Sequence, residues 1–250
     1  MKKPRKTRKP PHAAAKRKPR ADREVRVLYE DDAIIALDKP AGLPSVPVAK
    51  NSNAPSAWSI LSAELREQRR RAFVVHRIDR FTSGILLFAK SPRDRDSLVH
   101  QFLEHTPQRE YTAIVRGHLP HDSGTLVHYF RKEGHIQKLT ASRDPKAARA
   151  ELHYQVERKL RDASLVHVTL VTGLQNQIRV QFSALSHPVV GDRKYHPAEA
   201  QERRIDRVAL HANRLEFLHP RTGKPVVIES EPPADFRHLL RALHNPAQSG

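Results

Sequence analysis

The 250-residue sequence contains no cysteine, so disulfides and thiolate metal sites are excluded and a reducing compartment is compatible. No stretch approaches the roughly 20 apolar residues that span a bilayer. The N-terminus is charged from Lys2 onward with no apolar segment behind it, which does not read as a secretory signal. A soluble, cytoplasmic protein without membrane contact is expected. Neither a G-x-x-x-x-G-K-[S/T] phosphate loop nor a G-x-S-x-G nucleophile turn occurs, and there is no internal repeat. His118 and His121 have ligand-like spacing, but the loop His118-Leu119-Pro120-His121 offers no third ligand, so no metal is expected. Acids are scarce as well. Against 45 Lys and Arg there are 27 Asp and Glu, a net charge of +18. Such an excess favours a polyanionic partner through counterion release and steering, nucleic acid before an anionic membrane surface.

Half of that net charge sits in residues 1–24, where eleven Lys and Arg face only Asp22 and Glu24. With Pro4, Pro10, Pro11 and Pro19 and almost no large apolar residue, this tail is expected to be disordered and to track phosphates. The folded domain is expected over 25–250. Apolar runs predict strands at Val25–Tyr29, Ile34–Leu37, Phe73–Val75, Ile85–Ala89, Arg109–Arg116, Thr125–Phe130, Ala150–Lys159, Ser164–Thr172, Val208–Phe217 and Val226–Glu229. Helical spacing predicts helices at about Ala57–Arg70, Ser91–His105 with Leu98, Phe102 and Leu103 buried, Asn176–Leu185, and Ala234–Leu243. Residues 131–149 read as a mobile basic hairpin or loop. Strands outnumber helices and often follow one another directly. The fold class is therefore α+β, a large, mainly antiparallel mixed sheet flanked by helices and loops.

The most informative stretch is V-V-H-R-I-D-R-F-T-S-G-I-L-L-F-A-K. It sets Asp79 between Arg77 and Arg80 in a polar turn between two apolar strands. A desolvated carboxylate needs nearby cations or donors, and the turn supplies both. From the residues alone, Asp79 is a positioned charge or merely closes a surface turn.

The stretch resembles the signature of the RluA-type pseudouridine synthases, H-R-L-D-x-x-T-S-G before an apolar strand, matched by His76, Arg77, Ile78, Asp79, Thr82, Ser83 and Gly84. Lys39-Pro40-Ala41-Gly42 matches a K-P-A-G element of that family, and Arg109-Glu110-Tyr111 its K-x-Y, with arginine where lysine would stand. Gly173-Leu174-Gln175-Asn176-Gln177-Ile178-Arg179 answers G-R-T-H-Q-I-R but departs from it at Leu174, Gln175 and Asn176. Gly191-Asp192 with Tyr195, and Leu210-His211-Ala212, also match and read as mainly structural.

The resemblance implies isomerisation of uridine to pseudouridine in ribosomal or transfer RNA, with no cofactor. It implies that Asp79 is catalytic, that Tyr111 stacks on the uracil and can serve as a base, and that Arg179 pairs with Asp79. Arg77 is the implied side chain that fills the space of a displaced base, and Arg80, Lys39 and Gln177 are further expected RNA contacts. The 24 residues ahead of Val25 leave no room for a separate RNA-binding domain, a role the tail would take in part. A monomer is expected. The rival reading, from the altered Leu174-Gln175-Asn176 segment, is a catalytically silent RNA-binding protein on the same scaffold.

Overall fold

The computed structural model describes residues 25–48, 54–134 and 136–244. The expected disordered tail at 1–24 lies outside the described residues. Among the described residues, eleven strands form one sheet, and four α-helices cover it. In chain order these are β1 (Arg26–Glu30), β2 (Ile34–Lys39), α1 (Ala57–Glu67), β3 (Phe73–Val74), β4 (Ser83–Ala89), α2 (Pro92–Leu103), β5 (Gln108–Arg116), β6 (Ser123–Glu133), β7 (Ile136–Leu139), β8 (Ala148–Lys159), β9 (Ala163–Leu170), α3 (Gln177–Ala184), β10 (Leu210–Leu218), β11 (Pro225–Glu229) and α4 (Ala234–Ala242). The sheet order is β1-β2-β4-β10-β5-β9-β8-β6-β7, with β3 beside β4 and β11 beside β10. Every pairing is antiparallel except β4 with β10.

The run Ile85–Ala89 is apolar at every position because helices cover both of its faces. Successive side chains of a strand point to opposite faces. Leu86 and Phe88, with Ile35 and Leu37 of β2, pack against Leu61 and Leu65 of α1. Ile85, Leu87 and Ala89, with Ile34 and Ala36, meet Leu98 of α2 on the other side. In the second half of the sheet, Val166 and Val168 of β9 join Ile178 and Phe182 of α3 and Phe236 and Leu239 of α4 in one core. His167 and Thr169, on the opposite face, stay partly exposed.

Two local expectations change. α1 ends at Glu67 rather than Arg70, because Arg69 turns left-handed at φ 56° and the Arg70 N–H closes back on the Leu65 carbonyl at 2.7 Å. Leu103 is 69 % exposed instead of buried, since the last turn of α2 opens into the cleft described below. The hairpin expected within residues 131–149 is formed by β6 and β7, which pair antiparallel from Phe130↔Leu139 to Glu133↔Ile136.

The parallel seam between β4 and β10 joins the two halves and positions the site. It rests on a close backbone approach at Gly84, which has φ +109° and whose added Cβ would lie 2.2 Å from the Ala212 carbonyl oxygen. Across the seam the Ser83 hydroxyl meets His211 Nδ1 at 2.9 Å, and His211 Nε2 meets the Ser230 carbonyl at 2.9 Å. A carbonyl only accepts, so Nε2 carries the proton and Nδ1 accepts from Ser83. Gly84→Ala is expected to destabilise the fold by roughly 2–4 kcal/mol, combining positive-φ strain with overpacking. Chemical denaturation measures it; a midpoint equal to wild type would show that the seam can open without cost.

Candidate active site

The turn between β3 and β4 is fastened to the loop after β2 on both sides of Asp79. Ser45 Oγ donates to the Ile78 carbonyl at 2.7 Å and accepts the Ile78 N–H at 3.2 Å. The Gly42 N–H donates to the Arg80 carbonyl at 2.7 Å, and Arg80 Nε returns a bond to the Gly42 carbonyl at 2.9 Å. Beneath them lies Lys39, 0 % exposed, its ammonium donating to the carbonyls of Pro40, Leu43 and Arg80 at 3.0, 2.8 and 3.2 Å. Lys39 is therefore not the phosphate contact expected from the sequence. It is an internal clamp, and burial pulls its pKa down to about 7.

Gln177 lines the cleft, but most of its amide is bonded within the protein. At 2 % exposed, its Oε1 accepts from the Thr172 hydroxyl at 2.8 Å and the Leu174 N–H at 3.0 Å, while Nε2 donates to the Glu151 carbonyl at 3.0 Å. These bonds shape the turn into α3. That turn ends at Asn176, left-handed at φ 56°, a conformation that asparagine tolerates better than most residues.

One turn into α3, Arg179 spans two carboxylates. Nε and Nη2 form a bidentate pair with Asp192 at 2.8 and 2.7 Å, and Nη1 donates to Asn176 Oδ1 at 2.8 Å. The same Nη1 lies 3.5 Å from Asp79 Oδ2. The Tyr195 ring stands 5.2 Å from the guanidinium. Asp192, read from the sequence as structural, thus sets the orientation of Arg179. The signal for it was an acid inside the apolar segment Val189-Val190-Gly191-Asp192, where burial demands a cation. Arg179 in turn leaves Asp79 only partly compensated. Burial raises the Asp79 pKa above the ordinary carboxylate value, and Arg179, Lys194 and Lys39 hold it down without cancelling that rise.

Asp79 lies in the wall of an open cleft of about 970 Å3, together with Tyr111 of β5 and Arg179 of α3. Among its described lining residues Asp79 is the only carboxylate, whereas four are arginines: Arg77, Arg80, Arg109 and Arg179. Arg77 and Arg80 are exposed at the rim. Burial pushes the Tyr111 phenol up to about 12. His76 accepts the Leu87 N–H on Nε2 at 3.0 Å and stacks on Phe102 at 4.7 Å, and burial drops its pKa to about 3, so it stays neutral. No group of three or more His, Cys, Asp or Glu among the described residues is arranged to hold a metal. The structure therefore brings Asp79, Tyr111, Arg179, Arg77, Arg80 and Gln177 to one cleft, with Gln177 bonded inward, and leaves Lys39 out of its lining.

The family model for RNA pseudouridylate synthase matches residues 33–184, a span that includes this turn, β5 and α3. The chain belongs to the RNA pseudouridylate synthase family. It is accordingly an isomerase that acts on RNA. It is 36 % identical over 228 residues to the ribosomal large subunit pseudouridine synthase D of Nitrosomonas europaea, covering 88 % of this chain and 66 % of that protein. The enzyme of the same name from Zymomonas mobilis is 34 % identical over 233 residues, covering 89 % and 74 %. An uncharacterized RNA pseudouridine synthase of Bacillus subtilis, YlyB, is 35 % identical over 222 residues, covering 87 % and 72 %. The chain thus spans about two thirds to three quarters of these relatives. Two human structures, RNA pseudouridylate synthase domain containing 4 and domain containing 1, share the fold at a TM-score of 0.70 each. They are 21 % and 23 % identical, covering 87 % and 90 % of this chain and 92 % and 97 % of theirs.

The raised Asp79 pKa has a consequence for stability. A carboxyl whose folded pKa lies above its unfolded value contributes stability below the unfolded pKa and loses it as pH rises through the folded pKa. At neutral pH, above the unfolded pKa, burial of Asp79 therefore weakens the fold. Asp79→Asn does not orphan Arg179, which keeps Asp192. The variant is expected to melt above wild type at neutral pH, and the gap should close as pH falls into the ordinary carboxylate range. Scanning calorimetry over that range is the check; a lower Tm for the variant at neutral pH would contradict the assignment.

Proposed function

We propose that Asp79 is the catalytic carboxylate of uridine isomerisation, with Arg179 and Tyr111 completing the site and Arg77 and Arg80 contacting RNA at the rim. The observation that carries this reading is the isolation of Asp79 as the one acid in a cleft walled by arginines. A surface built only to bind phosphates gains nothing from a half-buried carboxylate that repels them.

The reaction breaks the bond from ribose carbon 1 to uracil nitrogen 1, turns the base, and forms a bond from the same ribose carbon to uracil carbon 5. The proton on carbon 5 is lost and nitrogen 1 gains one, so the balance is that of an isomerisation. No electron acceptor and no transferred phosphate enters it. Asp79 can begin it at the sugar or at the ring. An elevated pKa strengthens the carboxylate as nucleophile or base, and the Arg179 contact opposes the rise by favouring the ionised form. With its phenol near 12, Tyr111 rests protonated, which suits a ring that stacks on the uracil better than a resting base. The uridine must leave its stack to reach this depth, at a cost of a few kcal/mol, and the exposed Arg77 at the rim is placed to fill the gap.

The departure at Leu174-Gln175-Asn176 supports activity rather than silence, because Asn176 holds Arg179 Nη1 at 2.8 Å. The names of the relatives point to ribosomal large-subunit RNA as the substrate class. A cytoplasmic monomer fits this role, and no helix among the described residues is long and apolar enough to cross a membrane.

Because carbon 5 loses its hydrogen, RNA carrying tritium there reports turnover directly. Wild type is expected to release tritium from such ribosomal RNA. Asp79→Asn should release none while binding the RNA within about twofold of wild type. Release by the variant would remove Asp79 from the catalytic role.

A further inference from the structure

Two buried arginines line the cleft, and only one of them has a counter-ion. Arg179 is held by Asp192, whereas Arg109, 8 % exposed, has no carboxylate within 4.0 Å among the described residues. Its guanidinium makes one hydrogen bond there, from Nη2 to the Val171 carbonyl at 2.9 Å. Nε is buried with no acceptor. The Phe102 ring, 5.9 Å from Cζ, gives partial compensation at most. Burial lowers the Arg109 pKa, and the only opposing influence is Tyr111. A buried cation without a partner costs several kcal/mol, so its persistence calls for an anion that arrives from outside.

Gly173 makes room for the guanidinium at the cleft wall. A Cβ there would stand 2.4 Å from Arg109 Nη1, so any larger residue would push the guanidinium aside. Gly173 and Arg109 both line the cleft. Arg109 and Tyr111 are two residues apart on β5 and therefore share one face of the sheet. An anion at Arg109 lies beside the ring on which the uracil stacks.

We propose that Arg109, seated against Gly173, forms the wall of a pocket in the cleft for an RNA backbone phosphate next to the target uridine. The guanidinium fork matches two phosphate oxygens at once. Docking the phosphate supplies the missing counter-ion and fixes the ribose relative to Asp79. This inference rests on the RNA-isomerase reading of the cleft.

The test is the salt dependence of binding to a short oligouridylate, followed by anisotropy with the full chain. Each phosphate neutralised on a single strand contributes about 0.7 to the slope of log K against log salt. Arg109→Met is expected to lower the wild-type slope by about that amount, and Arg109→Lys to restore it. Gly173→Ala, which displaces the guanidinium without removing it, should also lower the slope, and it decides alone if Arg109→Met does not fold. Wild-type slopes in Arg109→Met and Gly173→Ala would overturn the pocket and make Arg109 a structural residue. Failure of the wild type to bind RNA at all would instead overturn the reading on which the pocket rests.

Discussion

The ion pair between Arg179 and Asp79, at 3.5 Å, is the interaction on which the rest of the site depends. A carboxylate taken out of water must be compensated, yet full compensation would make it a poor nucleophile or base. The structure divides Arg179 between two acids to reach an intermediate state. Asp192, fully buried, takes the two close bonds, and Asp79 receives what remains of one Nη1 group. Asn176 on the same nitrogen limits that share further. Asp79 thus stays ionisable with a raised pKa, in a cleft whose other charges are positive.

Such a carboxylate would move away from Arg179 if its backbone were free. Its neighbours Ile78 and Arg80 are instead bound to the loop Pro40–Ser45, through Ser45, Gly42 and the Lys39 ammonium. That loop leaves β2, which pairs with β4 along its whole length, so the clamp is anchored in the most apolar part of the sheet. Arg179 comes from the other half, on α3. The parallel register of Ser83 and Gly84 against His211 and Ala212 therefore sets the distance between acid and cation. Burying Lys39 has an electrostatic cost, offset by three carbonyl acceptors and the nearby negative charge of Asp79.

Most of this fold was legible because its signals are local. Alternating or continuous apolar runs marked ten of the strands within a few residues, and the expected α+β class with a mainly antiparallel sheet is what the chain forms. Asp79 was legible because the turn around it carries a specific spacing. What local pattern does not show is where a polar side chain ends. Lys39 looked like a phosphate ligand, but its ammonium meets the carbonyl of Arg80, 41 residues away. Gln177 looked like an RNA contact, and it does line the cleft, but its amide also ties Thr172, Leu174 and Glu151 together. Asp192 read only as structural, and its hold on Arg179 was hidden because that partner sits 13 residues earlier on a different element. Leu103 has the spacing of a core residue, yet it follows the end of the packed face and opens to the cleft.

The central claim is that this cleft isomerises uridine in RNA through Asp79. Pseudouridine mapping by carbodiimide labelling and primer extension, on ribosomal RNA from cells with and without the gene, tests it most directly. The account predicts a site that disappears on deletion, returns with the wild-type gene, and does not return with Asp79→Asn. A site restored equally well by Asp79→Asn would contradict it.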